Sequence, residues 1–318
     1  MLVIIVIKQI IVSFFLLIIG AFCYKKDILS ASEGKSISNF ILTFVSPALI
    51  LDACQITYSE ELFHNLLWAF GMSGVSFVAA IAAAQVLISK RKISYNIERF
   101  SLVYTNCGFI GVPLVQALYG DEGVLYMTSY IAMFNILLWT HGVVCMSERM
   151  DKKQIVSILK CPTIYAIVIG IFSFCMKITY PEVFGTTIAY VADLNTPLAM
   201  IVAGISVMQS DFLGAMRRRR IYVVSFLKLL AIPVMAMLAM SLFPCPAIIQ
   251  VIIVLATGCP VGASVIMFAL RYGKDEIYGA ELFAVTTIFS LVTMPVLIAL
   301  CTISVSYTHL TLPTILRV

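Results

Sequence analysis

The stretch TNCGFIGVPLVQALYGDEG, Thr105 to Gly123, begins inside an apolar run long enough to cross a membrane. Yet it places Asn106, Gly108, Gly111 and Pro113 within eight residues. No water in the bilayer core can pair a freed N–H or C=O. Irregular backbone at that depth survives only where protein buries it or where it lines a wet cavity. A second stretch of the same kind, ATGCPVGAS from Ala256 to Ser264, carries Gly258, Pro260 and Gly262.

The composition around these two stretches is that of a membrane protein. Of 318 residues 61% are hydrophobic and only 12% charged, about half the charge of a soluble domain. The mean hydropathy is +1.04. The nine cysteines fall mostly in apolar runs and form no CxxC pair. They read as small hydrophobes, so neither disulfides nor a metal site is expected. The N-terminal run is too long for a signal peptide and its charges follow it, which makes it a first transmembrane helix. At the other end VSYTHLTLPT, Val305 to Thr314, resembles the conceptual translation of a sequencing-library adapter, and 305–318 is expected to be an artefact tail.

Ten spans are predicted, at 3–23, 37–54, 65–88, 100–119, 124–146, 163–180, 187–209, 221–243, 247–269 and 280–303. Basic residues set their orientation. The odd-numbered connections carry seventeen, among them Lys25, Lys26, Lys90, Arg91, Lys92, Arg149, Lys152, Lys153, Lys160 and the run Arg217–Arg220, whereas the even ones carry only Lys177. This bias puts the odd connections in the cytoplasm and both termini outside. It also accounts for the net charge of +5 without a nucleic-acid partner. The Arg217–Arg220 run reads as an orientation anchor on anionic lipid headgroups.

The chain repeats itself. Gly20 in IIGAFC and Gly170 in VIGIFSFC are 150 residues apart, as are Pro47 in SPAL and Pro197 in TPLA; Gly120 and Gly273 are 153 apart. The predicted fold is therefore an all-α polytopic membrane protein of ten transmembrane helices. They form two inverted five-helix repeats, 1–146 and 163–304, joined by a short cytoplasmic connection at 147–162. Five spans is an odd number, so the second copy enters from the opposite side, a recurring plan of secondary transporters. Helices 4 and 9 are the broken ones, and they are expected to cross.

Two equivalent breaks near mid-membrane are the sequence's pointer to a transport site. Proline suits the first turn of a helix, so a half-helix is expected to start at Pro113 and another at Pro260. Their free N–H groups and positive dipole ends would then face one region from opposite sides. Such a site suits an anion, a carboxylate above all. Asn106, Gly108, Gly111, Pro113, Thr257, Gly258, Pro260, Gly262 and Ser264 are the candidate substrate-binding residues.

NCGFIGVPL resembles the Asn-x-Gly-Phe-x-Gly-x-Pro signature of the auxin efflux carrier family, which includes bacterial malate and malonate permeases. NTPLAMIVAGISV, Asn195 to Val207, is similar to that family's seventh-span motif, and LKLLAIPVMA, Leu227 to Ala236, to its eighth-span basic residue and proline. The resemblance covers nearly all of 3–304. It implies a ten-helix fold with crossed broken spans, a scaffold domain, a moving transport domain and elevator-like movement of small organic anions. It also implies kinship with bile acid sodium symporters. The fifth connection is short where plant hormone carriers often have a long one, which favours a prokaryotic plasma-membrane carrier over one for auxin.

Asp193, Asn195, Thr196 and Lys228 are the ion-coupling candidates, for Na+ or H+. The seventh span is expected to unwind near Pro197. Lys228 lies about seven residues inside the eighth span, where its stem can snorkel to the cytoplasmic surface or its charge can attract an anion. Asp52 reads as interfacial, Asp121 and Glu122 as a solvated outer turn, and Trp139 and His141 as packing residues or interface anchors. No paired aspartates, HExxH or GxSxG lies in a span, so no catalytic residue, cofactor or enzyme activity is expected. The partners are a small organic anion and membrane lipids, with a homodimer compatible with the plan.

Overall fold

The computed structural model describes residues 2–89, 94–147, 161–210 and 212–315, with side chains described within residues 4–301 except those of residues 6 and 213. Among these residues the chain is helical, with one isolated β-bridge and no strand. Lys90, Arg91 and Lys92, the 148–160 part of the expected cytoplasmic connection, and the side chains of the expected tail at 305–318 lie outside the described residues.

Among the described residues seven helical stretches are long and apolar enough to cross a membrane: Ile7–Lys25, Ala31–Ala53, Glu60–Leu87, Cys107–Ser147, Glu182–Met208, Arg219–Met240 and Glu276–Cys301. Pro162–Cys175 and Ala247–Gly258 are shorter apolar helices. The 41-residue stretch Cys107–Ser147 turns at Gly120, where φ is 58° and ψ −147°. Several helices begin earlier than their apolar runs because polar first turns precede them. Glu60 and Glu61 open one helix behind Ser59, whose hydroxyl accepts from the Leu62 N–H at 3.1 Å; acidic side chains suit the positive end of a helix. Ser30 and Glu33 form a capping box before another.

In chain order the helices are α1 Leu2–Lys25, α2 Ala31–Phe40, α3 Ser46–Ala53, α4 Glu60–Leu87, α5 Tyr95–Val103, α6 Val112–Leu137, α7 Val143–Ser147, α8 Pro162–Cys175, α9 Glu182–Asp193, α10 Asn195–Met208, α11 Phe212–Ala215, α12 Arg219–Phe226, α13 Ile232–Met240, α14 Ala247–Gly258, α15 Ser264–Arg271 and α16 Glu276–Ile315. Among the described residues four π-helical turns link successive helices: Ile41–Val45, Cys107–Gly111, Leu138–Gly142 and Leu227–Ala231. Three of them end two residues before a proline, Pro47, Pro113 and Pro233. Proline has no N–H and its ring clashes with the carbonyl four residues back. Widening the turn by one residue relieves that clash without ending the helix.

The helices pack in two groups. α1 lies along α10, α2 also meets α10, and α3 packs on α8 and α9. In the second group α4 packs on α5, α6 and α13, and α14 sits among α4, α6, α13 and α16. A small core of Ile41, Val45, Phe109, Ala199, Met200 and Val202 joins the groups.

Close approach within the first group depends on glycine. A Cβ at Gly20 would lie 2.1 Å from the Ile201 carbonyl oxygen, and one at Gly204 the same distance from that of Leu17. Gly170 meets Cys54 in the matching way, its Cβ falling 2.8 Å from the thiol sulfur. The 150-residue spacing maps Gly20 onto Gly170 and Cys54 onto Gly204, so corresponding helix faces meet in the pairs α1 with α10 and α8 with α3. The described residues with positive φ fall in two pairs at the same spacings, Asp27 with Lys177 and Gly120 with Gly273. α1 and α8 also end alike. Ile28 N–H donates to Cys23 O, and Ile178 N–H to Ser173 O, both at 2.9 Å, each closing a Schellman motif over a left-handed residue.

The seventh span does not unwind. Leu194 alone interrupts it, in a turn of φ −69° and ψ −15°, and α10 starts at the next residue. Pro197 falls in the first turn of α10, where a missing N–H leaves no gap.

Candidate functional site

Both interrupted spans break where expected, and the breaks are bonded to each other. After α5 the chain is extended at Tyr104 (φ −94°, ψ 113°), passes Asn106 (φ −85°, ψ 49°) and resumes as helix at Cys107. After α14 it is extended at Cys259 (φ −57°, ψ 150°) and resumes at Ser264. Thr105 and Val261 form an antiparallel bridge. The Asn106 N–H donates to Pro260 O at 2.8 Å and the Gly262 N–H to Tyr104 O at 3.1 Å. Val261 N–H donates to the Thr286 hydroxyl of α16 at 3.1 Å. Backbone groups that a broken helix leaves orphaned are thus paired by the other break, as burial demands.

The half-helices do not start at the prolines. Pro113 lies within a helix already running from Cys107, its lost hydrogen bond absorbed by the π-helical turn before it. Pro260 stays in the extended connection and offers its carbonyl to Asn106, so its helix starts at Ser264. Sequence reasoning placed both starts at proline because proline favours a first turn, and it had no view of the partner strand that holds Pro260 extended.

The glycines fall into two kinds. A Cβ at Gly262 would come within 3.0 Å of the Thr105 carbonyl oxygen, at Gly111 within 3.0 Å of the Cys259 sulfur, and at Gly258 within 2.3 Å of a Leu297 methyl. These three let the backbones approach. Gly108 faces open space instead, with nothing within 4 Å of its Cβ position.

Three buried polar atoms at the breaks have no hydrogen-bond partner: Asn106 Nδ2, Thr105 Oγ1 and Ser264 Oγ. Thr257 enters differently. Its hydroxyl donates to Ile253 O one turn back at 2.8 Å, and its carbonyl accepts from Lys228. Lys228 does not snorkel. Its side chain is fully buried, and Nζ donates to Leu102 O and Thr257 O, each at 3.3 Å. These carbonyls belong to the last turns of α5 and α14, where helices leave C=O groups unpaired.

The remaining ion-coupling candidates stand on α9 and α10, and α10 packs on the Cys107–Gly111 turn. Asn195 is buried on α10, accepts from the Ser46 hydroxyl at 3.5 Å and has an unpartnered Nδ2. Thr196 is half-buried beside it, and Asp193 is exposed at the end of α9.

The arginine run is more than a lipid anchor. Arg220 grips Glu98 with two nitrogens, the Nε contact at 2.7 Å, and Arg218 meets Glu281 at 2.9 Å. Both carboxylates are buried, and Tyr278 also donates to Glu98 at 3.1 Å. Two acidic residues near the ends of otherwise apolar spans were the sequence signal for this cluster. Sequence reasoning also passed over Thr105 and Thr286, because a threonine in an apolar run gives no sign of which backbone it meets. Tyr104 adds a contact away from the break, its hydroxyl lying 2.8 Å from Leu137 O and 2.9 Å from His141 Nδ1.

A cleft of about 30 Å³ opens beside the first break, between Ile110 and Leu114 on one side and Gln9, Ser13 and Leu17 of α1 on the other, with Thr287 and Ser290 of α16 in its wall. It lies where the two groups of helices meet. A family model described as membrane transport protein matches residues 5–298 of the chain. No curated protein matches it.

Proposed function

The chain belongs to the auxin efflux carrier family of membrane transport proteins, and we propose that it is a secondary carrier of small organic anions, malate-like carboxylates among them. The carrying observation is the pair of breaks bonded to each other while Asn106 Nδ2, Thr105 Oγ1 and Ser264 Oγ stay buried without partners. Such groups cost about 1–3 kcal/mol each when left unpaired, and an oxyanion is an acceptor for amide N–H and hydroxyl O–H donors. The first-turn N–H groups of Cys107, Gly108 and Phe109 add the positive end of a helix dipole, worth roughly 0.3–1 kcal/mol. Binding of that strength holds a solute and lets it go.

We read the architecture as ten spans in two inverted five-helix repeats. Dividing Cys107–Ser147 at Gly120 and adding the two short apolar helices to the seven long ones gives that number. The corresponding helix pairs, α1 with α10 and α8 with α3, and the paired Schellman ends support the duplication. The group of α1–α3 and α8–α10 would serve as scaffold and the group holding both breaks as the moving part. Alternating access would then carry the site past α1 and α10, with both termini outside a prokaryotic plasma membrane and lipids around the bundle. A homodimer is compatible with this plan.

The test is uptake of radiolabelled malate, malonate and monocarboxylates into proteoliposomes by the wild-type protein. Saturable uptake of at least one, competed by its unlabelled form, is the expected result. A protein that binds these anions in a thermal-shift screen but moves none of them would refute the carrier reading.

A further inference from the structure

From Leu2 to Phe22 the polar side chains of α1 are Lys8, Gln9 and Ser13. Lys8 is exposed, whereas Gln9 and Ser13 are half-buried. Four residues apart, they share one face of the helix. They line the cleft with Ile110 and Leu114, and Thr287 and Ser290 of α16 stand in its other wall. Polar side chains at membrane depth often act as glue between helices. These two do not: among the described residues neither makes a side-chain hydrogen bond. Serines in other spans turn back on their own helix, Ser73 to Ala69 O, Ser173 to Ile169 O and Ser206 to Val202 O. Ser13 leaves its hydroxyl to the cleft.

The α16 wall cannot receive an anion. The Thr287 hydroxyl donates to Phe283 O and the Ser290 hydroxyl to Thr287 O, both at 2.7 Å. What they turn to the cleft is lone pairs, and a carboxylate has no hydrogen to give them. The Gln9 amide and the Ser13 hydroxyl are donors that stay free. The cleft also lies on the side of the break away from the arginine cluster, because Glu281, which Arg218 holds, precedes Thr287 and Ser290 along α16. On the carrier reading that is the outer side. We propose that Gln9 and Ser13 form a second anion contact, on the fixed group of helices, which takes the solute over from the break on its way to or from the outer face. The contact is neutral, so it offers donors without holding the charge fast. At about 30 Å³ the cleft has room for a water and not for a carboxylate solute. The passage is therefore closed here and opens when the moving group shifts against α1. The inference rests on the carrier reading above and adds the fixed half of its path.

Two measurements test it. The first is uptake of malate, malonate and acetate into proteoliposomes by Gln9→Leu and Ser13→Ala. Each variant removes one neutral hydrogen bond, so KM should rise roughly threefold to tenfold. Melting temperatures should stay level with wild type or above it, because each variant loses a polar group that the resting protein leaves unpaired. The second measurement places cysteine on opposite faces of α1. Ser13→Cys in proteoliposomes should react with a charged, membrane-impermeant thiosulfonate faster than Phe15→Cys, whose position is exposed outside the cleft, with wild-type labelling subtracted from both. The same anions should slow the Ser13→Cys reaction severalfold. Variants with wild-type KM would overturn the proposal, as would a Gln9→Leu protein that melts well below wild type. So would Ser13→Cys labelling no faster than that of Phe15→Cys, or labelling that none of the anions slows. Uptake absent from the wild type while the anions still slow labelling would count against the carrier reading and leave the contact standing.

Discussion

The backbone N–H of Asn106 donates to the carbonyl oxygen of Pro260 across 2.8 Å, joining residues 154 positions apart in the chain. Two broken helices thereby become one structural unit. Neither break could stand alone in lipid, since each leaves polar backbone groups that only the other pairs. The side chain of Asn106 is meanwhile left with an unpartnered Nδ2.

Asn106→Ala should therefore separate function from folding. The variant keeps the backbone bond to Pro260 and removes a buried Nδ2 that the protein itself does not pair. Expression and melting temperature should stay close to wild type while uptake falls at least tenfold. Wild-type uptake by this variant would remove Asn106 from the site.

Gly262→Ala should damage the unit directly. The added methyl would sit 3.0 Å from the Thr105 carbonyl oxygen, which the bridge holds in place. Overpacking of this kind costs about 1–3 kcal/mol. Gly185→Ala, with nothing within 4 Å of the new methyl, is the control and should be neutral. Equal melting temperatures for the two variants would contradict the packing described.

Thr286→Val keeps the shape of the side chain but leaves the Val261 N–H without its acceptor. A buried unpaired donor costs about 1–3 kcal/mol. Denaturation in detergent should show that loss, whereas Thr287→Val, whose hydroxyl bonds only its own helix at Phe283 O, should lose less. The reverse order would show that Val261 does not depend on α16.

Gly204→Ala should prevent close packing of α1 on α10, because its methyl would lie 2.1 Å from a backbone oxygen and no side chain can yield. Severely reduced yield of folded protein is expected. Normal yield would mean that the two helices are farther apart than described.

The two ion pairs should differ in weight. The Arg220 side chain is 31% exposed and that of Arg218 52%, while both glutamates are buried. Exposure screens an ion pair, and Glu98 also has Tyr278 to lose. Arg220→Ala should lower the melting temperature more than Arg218→Ala. An equal or opposite ranking would show that burial of the carboxylates does not set the cost.

Much of the fold was legible in the chain itself. Apolar runs separated by basic connections gave the spans, since lipid permits little but continuous helix. Glycine and proline clusters gave the two breaks, since both residues disfavour continuous helix. Gly20, Gly170, Pro47 and Pro197 gave the 150-residue spacing that the Schellman ends of α1 and α8 repeat. These are local or periodic properties, and a one-dimensional string carries them.

What only the tertiary structure decided is where the freed groups go. The start of each half-helix moved away from proline because the partner break pairs Pro260 in extended form. Lys228 turned inward because two helix ends, from residues 102 and 257, meet beside it and accept hydrogen bonds from its Nζ. Thr257 contributes its carbonyl rather than its hydroxyl for the same reason. Hydrogen bonds and helix dipoles act over a few ångströms in space, between residues more than a hundred apart in sequence. No pattern along the chain records which of them will meet.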